Sequence, residues 1–154
     1  MPNDAASKES ARPILQRVVR VFSSLHRGLY RLSGGKLGGS TGKMPVLLLT
    51  TTGRKSGQPR TWPVGYIRDG DRLIISASAG GEPAHPAWYL NLTAHPRVMV
   101  QLGQATIPMD AVAAAGAERT RLWSRFVGDF PVFAEYQQRT TREIPLIILT
   151  KVAE

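Results

Sequence analysis

Cysteine is absent from the 154 residues, which excludes disulfides, thiolate-ligated zinc and a cysteine nucleophile. That absence fits a reducing compartment. Histidine is scarce: His26, His85 and His95 are the only three, and no pair has HxH or HxxxH spacing. A histidine-based metal site is therefore not expected. No apolar run approaches the ~20 residues of a membrane-spanning helix, and the polar first residues lack the apolar segment of a secretory signal. The chain is expected to be cytoplasmic. It contains no Walker A spacing, no internal repeat and no low-complexity segment.

Acidic residues are scarce in one part of the chain only. Residues 1–60 hold eleven Lys/Arg against two Asp/Glu, whereas residues 61–154 hold nine of each, so the net charge of +9 lies entirely in the first part. Such asymmetry points to an anionic partner, of which nucleic acid, an anionic membrane and a polyanionic small molecule are the three kinds. At this length, with 42% hydrophobic residues, the chain can build one core and not two.

The apolar pattern supplies the elements. Residues 1–10 are polar and expected to be disordered, and residues 11–154 are expected to form one domain. From Pro13, the residues Ile14, Val18, Val21, Leu25 and Leu29 share one helical face, with Arg17, Arg20, Arg27 and Arg31 opposite. This predicts a basic amphipathic helix over residues 11–33. Its charged face fits either of two uses: water-facing cover on the domain, or peripheral contact with an anionic membrane. A glycine-rich loop follows, then short strands over 46–52, 61–68, 73–77, 98–102, 105–112 and 144–150. Asp69-Gly70-Asp71 and Gly103-Gln104 read as hairpin turns. Helices are expected over 86–92, 113–127 and 133–141. Six strands in hairpin order do not suit a doubly wound sheet. They predict an α+β domain built on a small antiparallel barrel with helices packed around it.

Four segments have the residue types that site chemistry needs. Thr52-Gly53-Arg54-Lys55-Ser56-Gly57-Gln58-Pro59-Arg60 joins a strand to a turn with two glycines, three cations and a hydroxyl. Glycines let successive N–H groups curl around an anion, and Arg and Lys add charge. The same residues also suit a solvated hairpin turn. Ala77-Ser78-Ala79-Gly80-Gly81 is small enough for a flat ligand to approach the backbone, or it is a connector. In His85-Pro86-Ala87-Trp88-Tyr89-Leu90-Asn91, Trp88 and Asn91 share a helical face. Trp88 suits either a ring-facing wall or the core, and Asn91 suits either ligand atoms or a helix end. Phe130 to Gln137 is an aromatic patch fit for a pocket or for plain core, with Tyr136 offering a phenol.

Taken in order, residues 47–57, Asp69-Gly70-Asp71, residues 77–81 and 85–92, Tyr136-Gln137 and Arg142-Glu143-Ile144-Pro145 resemble the deazaflavin-dependent nitroreductase and quinone reductase family of actinobacteria. The resemblance spans roughly residues 40–150. Each motif alone is unspecific, but their order and spacing together are specific. It implies a split β-barrel binding coenzyme F420, an 8-hydroxy-5-deazaflavin with a phosphate and a poly-glutamate tail. It further implies hydride delivery to a small-molecule acceptor: a quinone, a nitro compound or an activated enone. Quinone reduction at the membrane is a role proposed for some members, which would place the chain at the inner face of the cell membrane. Carried over by position, Arg54, Lys55, Ser56, Gly57 and Arg60 would hold the phosphate and tail. Pro63 and Val64 would lie along the deazaflavin, Ala77, Ser78, Ala79, Gly80 and Gly81 at its ring edge and ribityl region, and Trp88 and Asn91 would complete the cleft. Phe133 and Tyr136 would line the acceptor side, and Ser78 and Tyr136 would be the catalytic hydroxyls. Two positions depart from the family pattern: Ala79 stands where many relatives carry a polar or basic residue, and Leu90 where His is common.

Rival readings are an FMN- or FAD-using split-barrel oxidoreductase, a non-catalytic carrier of a cofactor or lipid-like ligand, and a nucleic-acid-binding domain. The last lacks exposed aromatics interleaved with its basic residues, so nucleic acid is not an expected partner. The expected assembly is a monomer or a homodimer.

Overall fold

The computed structural model describes residues 44–153; the expected helix over 11–33 and the glycine-rich loop after it lie outside them. The elements are β1 (Val46–Thr52), β2 (Pro59–Asp69), β3 (Arg72–Ser76), a 3-10 turn (Ala79–Gly81), α1 (Ala87–Ala94), β4 (Arg97–Leu102), β5 (Ala105–Ala113), α2 (Gly116–Asp129), α3 (Val132–Gln138) and β6 (Leu146–Lys151). The six strands close into one antiparallel barrel in the order β1-β2-β3-β6-β5-β4. The split-barrel expectation is met.

Alternation decides which side chains fill the barrel. Leu47 and Leu49, Val64 and Tyr66, Leu73 and Ile75, Val98 and Val100, Met109 and Ala111, and Ile147 and Leu149 point inward and form one buried cluster. β3 and β6 are apolar on their outward faces as well. There Ile74, Leu146 and Ile148 meet Leu122 and Phe126, which stand one helical turn apart on α2. These two strands therefore read as continuous apolar runs, as strands covered on both faces do.

β2 is longer than its apolar core predicts, and this matters for the site. Residues Pro59–Gly65 pair with β1, and Tyr66–Asp69 pair with β3. Pro63, Val64 and Gly65 thus lie where the strand changes partner. The strand expected to run through Ala77 ends at Ser76, because the Ala77 N–H goes to the Pro145 carbonyl. β6 begins at Leu146 rather than Ile144. Pro145 has no N–H, and the Ile144 N–H is taken by the Gln137 side-chain carbonyl.

The β2–β3 hairpin is fastened to α2 by Asp69. Its carboxylate accepts from Arg72, Arg121 and Arg125, and Arg72 also reaches Glu118 at 2.6 Å. Hydrogen bonds from Arg121 and then Arg72 hold the Asp69 carboxyl well below the usual carboxylate range. Because the folded-state value is depressed, this stabilisation is full above the unfolded value near ~3.9 and is lost as pH falls below it. Asp69→Asn is expected to cost about 1–3 kcal/mol at neutral pH. The gap from the parent chain in urea unfolding should shrink below about pH 4.

Candidate active site

Two clefts draw their linings from β2 and α1. The first, of about 230 Å³, is lined by Gly53, Arg54, Lys55, Ser56, Arg60, Trp62, Ala87 and Asn91. The second, of about 280 Å³, is lined by Pro63, Val64, Gly65, Ser76, Ser78, Ala79, Gly80, Trp88, Phe133 and Tyr136. Their linings meet in sequence on β2, at Trp62 and Pro63, and at the first turn of α1, at Ala87 and Trp88.

The cationic end is a tight loop. The Gly53 N–H donates to the Gln58 carbonyl and the Gly57 N–H to the Gly53 carbonyl, both at 2.8 Å, with Gly57 at φ +69°. Ser56 Oγ accepts from the Gln58 N–H at 3.2 Å and from Arg60 at 3.4 Å, which leaves its own O–H free to donate. Asn91 is buried beneath the loop. Its Oδ1 accepts from both the N–H and Nη1 of Arg54, each at 3.1 Å, and its Nδ2 donates to Thr51 Oγ1 at 3.1 Å. Asn91 therefore lines the cleft, but its carbonyl is engaged by Arg54; its place is that of a clasp for the loop. None of Arg54, Lys55 and Arg60 is within ion-pair distance of a carboxylate among the described residues. Three cations without a carboxylate partner among the described residues, two on the turn and Arg60 at the start of β2, suit a multiply charged anion.

The other end is apolar and flat. Trp88 serves both the barrel core and the cleft wall. Phe126, Phe133 and Tyr136 form an edge-to-face ladder with centroid spacings of 4.7 and 5.3 Å, so Phe133 links the outer core to the cleft. Ser78 is buried and lines the cleft, followed by Ala79 and Gly80 at φ +46° and +63°.

Of the residues expected at the site, Gly57, Ala77 and Gly81 line neither cleft. Gly57 shapes the turn, Ala77 is core, and Gly81 packs under α3. Trp62, Gly65, Ser76 and Ala87 line the site without having been singled out from the sequence. Ser76 is two residues from Ser78, so strand alternation would have placed it on the same face. Its buried Oγ has no hydrogen-bond partner among the described residues. Trp62 is 42% exposed, and nothing in the sequence of β2 sets it apart from its strand neighbours. Arg142, which the sequence marks only as part of the C-terminal pattern, donates to the Ala77 and Ser78 carbonyls from outside the cleft lining. Beside it, His85 stacks on Tyr89 at 4.6 Å, and burial, then the Arg142 charge, lowers its pKa. With Arg142 donating, His85 Nδ1 is the acceptor of a neutral ring.

A closed antiparallel barrel with a cleft region that is cationic on one side and aromatic on the other defines a split-barrel protein shaped for a ligand with an anionic part and a planar part. A family model described as F420H(2)-dependent quinone reductase matches residues 23–151. An F420H(2)-dependent quinone reductase of Mycobacterium tuberculosis is 41% identical over 132 residues, covering 82% of this chain and 88% of that protein. A solved F420-H2 dependent reductase, FDR-A, has a TM-score of 0.63 at 42% identity, covering 68% of this chain and 93% of its own. A domain-swapped dimer has a TM-score of 0.64 at 36% identity, covering 86% and 98%. This chain belongs to the F420H(2)-dependent quinone reductase family.

Proposed function

We propose that this protein transfers a hydride from reduced coenzyme F420 to a quinone, nitro compound or activated enone. The observation that carries the reading is the presence of three cations, with no carboxylate partner among the described residues, in one cleft, and of an aromatic, small-residue lining in a second cleft that continues along β2. An FMN- or FAD-using enzyme and a non-catalytic carrier are not favoured by the family membership.

The fit can be stated residue by residue. Arg54, Lys55 and Arg60 would bind the phosphate and the tail carboxylates, with the Ser56 hydroxyl as a further donor. Pro63, Val64 and Trp88 would form the walls against a planar ring, and Ala79 and Gly80 would let it approach the backbone. The bound, reduced deazaflavin supplies the hydride. The chain itself orients the ring, excludes water with Phe133 and Trp88, and answers the charge that develops on the acceptor. Hydride arrival at a quinone or enone places negative charge on oxygen. A hydroxyl from Ser78 or Tyr136 hydrogen-bonds that oxygen or gives it a proton. No nucleophile is needed.

Two further points belong to the proposal. No helix among the described residues is long and apolar enough to cross a membrane. The basic amphipathic pattern of residues 11–33 supports peripheral contact with anionic lipid at the inner face of the cell membrane, where a quinone would be met. The domain-swapped dimer at 36% identity supports a homodimer over a monomer.

The test is electrostatic. Lys55→Ala/Arg60→Ala should raise the Kd for coenzyme F420 by about tenfold to a hundredfold at low salt. The gap should narrow near 1 M salt, where charges are screened beyond ~3 Å. Unchanged affinity at low salt would remove the anion assignment.

A further inference from the structure

Arg142 stands behind the loop that carries Ser78, outside the residues lining the cleft. Its Nη2 donates to the Ser78 carbonyl at 2.7 Å, Nη1 to the Ala77 carbonyl at 3.1 Å, and Nε to the Glu82 carbonyl at 2.9 Å. Nη1 also meets His85 Nδ1 at 3.1 Å. Every partner is a neutral acceptor within residues 77–85. No carboxylate lies within ion-pair distance of Arg142 among the described residues. A partly buried cation whose partners are three carbonyls and an imidazole is not a stability device of the ion-pair kind. Its desolvation is offset by charge-assisted hydrogen bonds, and all of them fasten residues 77–85.

That geometry is one the loop would not adopt by itself. Ala79 is the only non-glycine residue at positive φ among the described residues, and Gly80 and Gly81 follow it in the same region. Such a run persists where its surroundings over-determine it. Arg142 is well placed to do so, because its own backbone is fixed on both sides. The Arg142 carbonyl accepts from Gln137 Nε2 at 2.8 Å, and Gln137 Oε1 accepts the Ile144 N–H at 2.9 Å. Ile144 is fully buried, and the next residue, Pro145, takes the Ala77 N–H. The planar fork thus transfers the position of α3 and β6 to the loop. A lysine ammonium at the end of a flexible stem cannot span three carbonyls and an imidazole at once.

We propose that Arg142 is a positioning residue for the acceptor chemistry. It holds residues 77–82 in the strained form that sets Ser78 on the cleft, and it acts through Ser78 without touching ligand. This rests on the reading of the cleft as the deazaflavin and acceptor site, but the loop-holding part can be tested without any ligand.

The experiment uses the full chain as Arg142→Ala, Arg142→Lys, Ser78→Ala and Arg142→Ala/Ser78→Ala. Hydrogen exchange of the ligand-free proteins should show faster exchange confined to residues 77–85 in both Arg142 variants, with the barrel strands unchanged. Single-turnover oxidation of reduced coenzyme F420 by menadione should slow by about tenfold or more in Arg142→Ala, with no rescue by lysine. The double variant should be no slower than Ser78→Ala alone by more than about twofold, because a residue acting through Ser78 has nothing left to add once Ser78 is gone. Unchanged exchange over 77–85, full rescue by Arg142→Lys, or multiplying effects in the double variant would each overturn the proposal. If the parent chain fails to bind coenzyme F420, the functional reading falls, while the exchange result still decides whether Arg142 holds the loop.

Discussion

Gly81→Ala is expected to be the most damaging single methyl that can be added near the site. Gly81 has φ +85°, and a Cβ there would lie 2.6 Å from the Tyr136 carbonyl oxygen and 2.9 Å from Arg139 Cβ. Two costs combine. A side chain in the left-handed region costs roughly 1–2 kcal/mol. The clash is with backbone and with the root of a side chain, so α3 or the 3-10 turn must move. A loss of about 2–4 kcal/mol in urea unfolding is expected. Movement of α3 would carry Phe133 and Tyr136 with it, so affinity for acceptors should fall as well. Gly57→Ala is the matching control. Its φ is +69°, but a Cβ there would meet nothing within 4 Å. It should lose only the conformational share, about 1 kcal/mol. Equal losses at the two positions would contradict the close packing of Gly81 under α3.

The second large effect concerns Asn91, in two substitutions that separate holding the loop from binding the anion. Asn91→Ala removes the partner of the Arg54 N–H and Nη1 and of the buried Thr51 hydroxyl. Leaving those groups unmet should cost about 1–3 kcal/mol and free the loop, so stability and cofactor affinity fall together. Asn91→Asp keeps the shape. Its carboxylate would accept from Arg54 as the amide oxygen does, and the Thr51 hydroxyl can reverse to donate. The fold should hold, but a negative charge would now stand against Arg54 beneath the anion cleft. The Kd for coenzyme F420 should rise by about tenfold or more while thermal stability stays close to that of the parent chain. A stable Asn91→Asp with unaltered affinity would show that Arg54 takes no part in anion binding.

The barrel was legible because its strands obey simple rules. β1 was placed to the residue from Val46 to Thr52, and the two hairpin turns fixed the order of the rest. Boundaries failed where tertiary partners decide them. Ala113 has a helix-favouring composition, yet it pairs with Ile147 and ends β5. The helix expected from Pro86 begins at Ala87, with Pro86 extended as its N-cap. In the site, charge and small residues marked the two ends of the cleft. Composition cannot show which side of a residue is occupied, however. Asn91 and Arg142 are both polar and both near the site, and both are engaged by backbone and side chains of the protein itself. The resemblance carries Ala77 and Gly81 to the site by position, but Ala77 is turned into the core and Gly81 packs against α3. The resemblance named the cofactor; only the geometry separates the residues that can face a ligand from those that hold the others in place.

The central claim is that the cleft is built for a polyanionic deazaflavin. Parallel titration of the purified protein with oxidised coenzyme F420 and with FMN tests it most directly. The account predicts saturable binding of coenzyme F420 that weakens as salt rises, and binding of FMN at least about tenfold weaker, since FMN has no acidic tail for the three cations to hold. Binding of FMN as tight as that of coenzyme F420, or coenzyme F420 binding indifferent to salt, would contradict it.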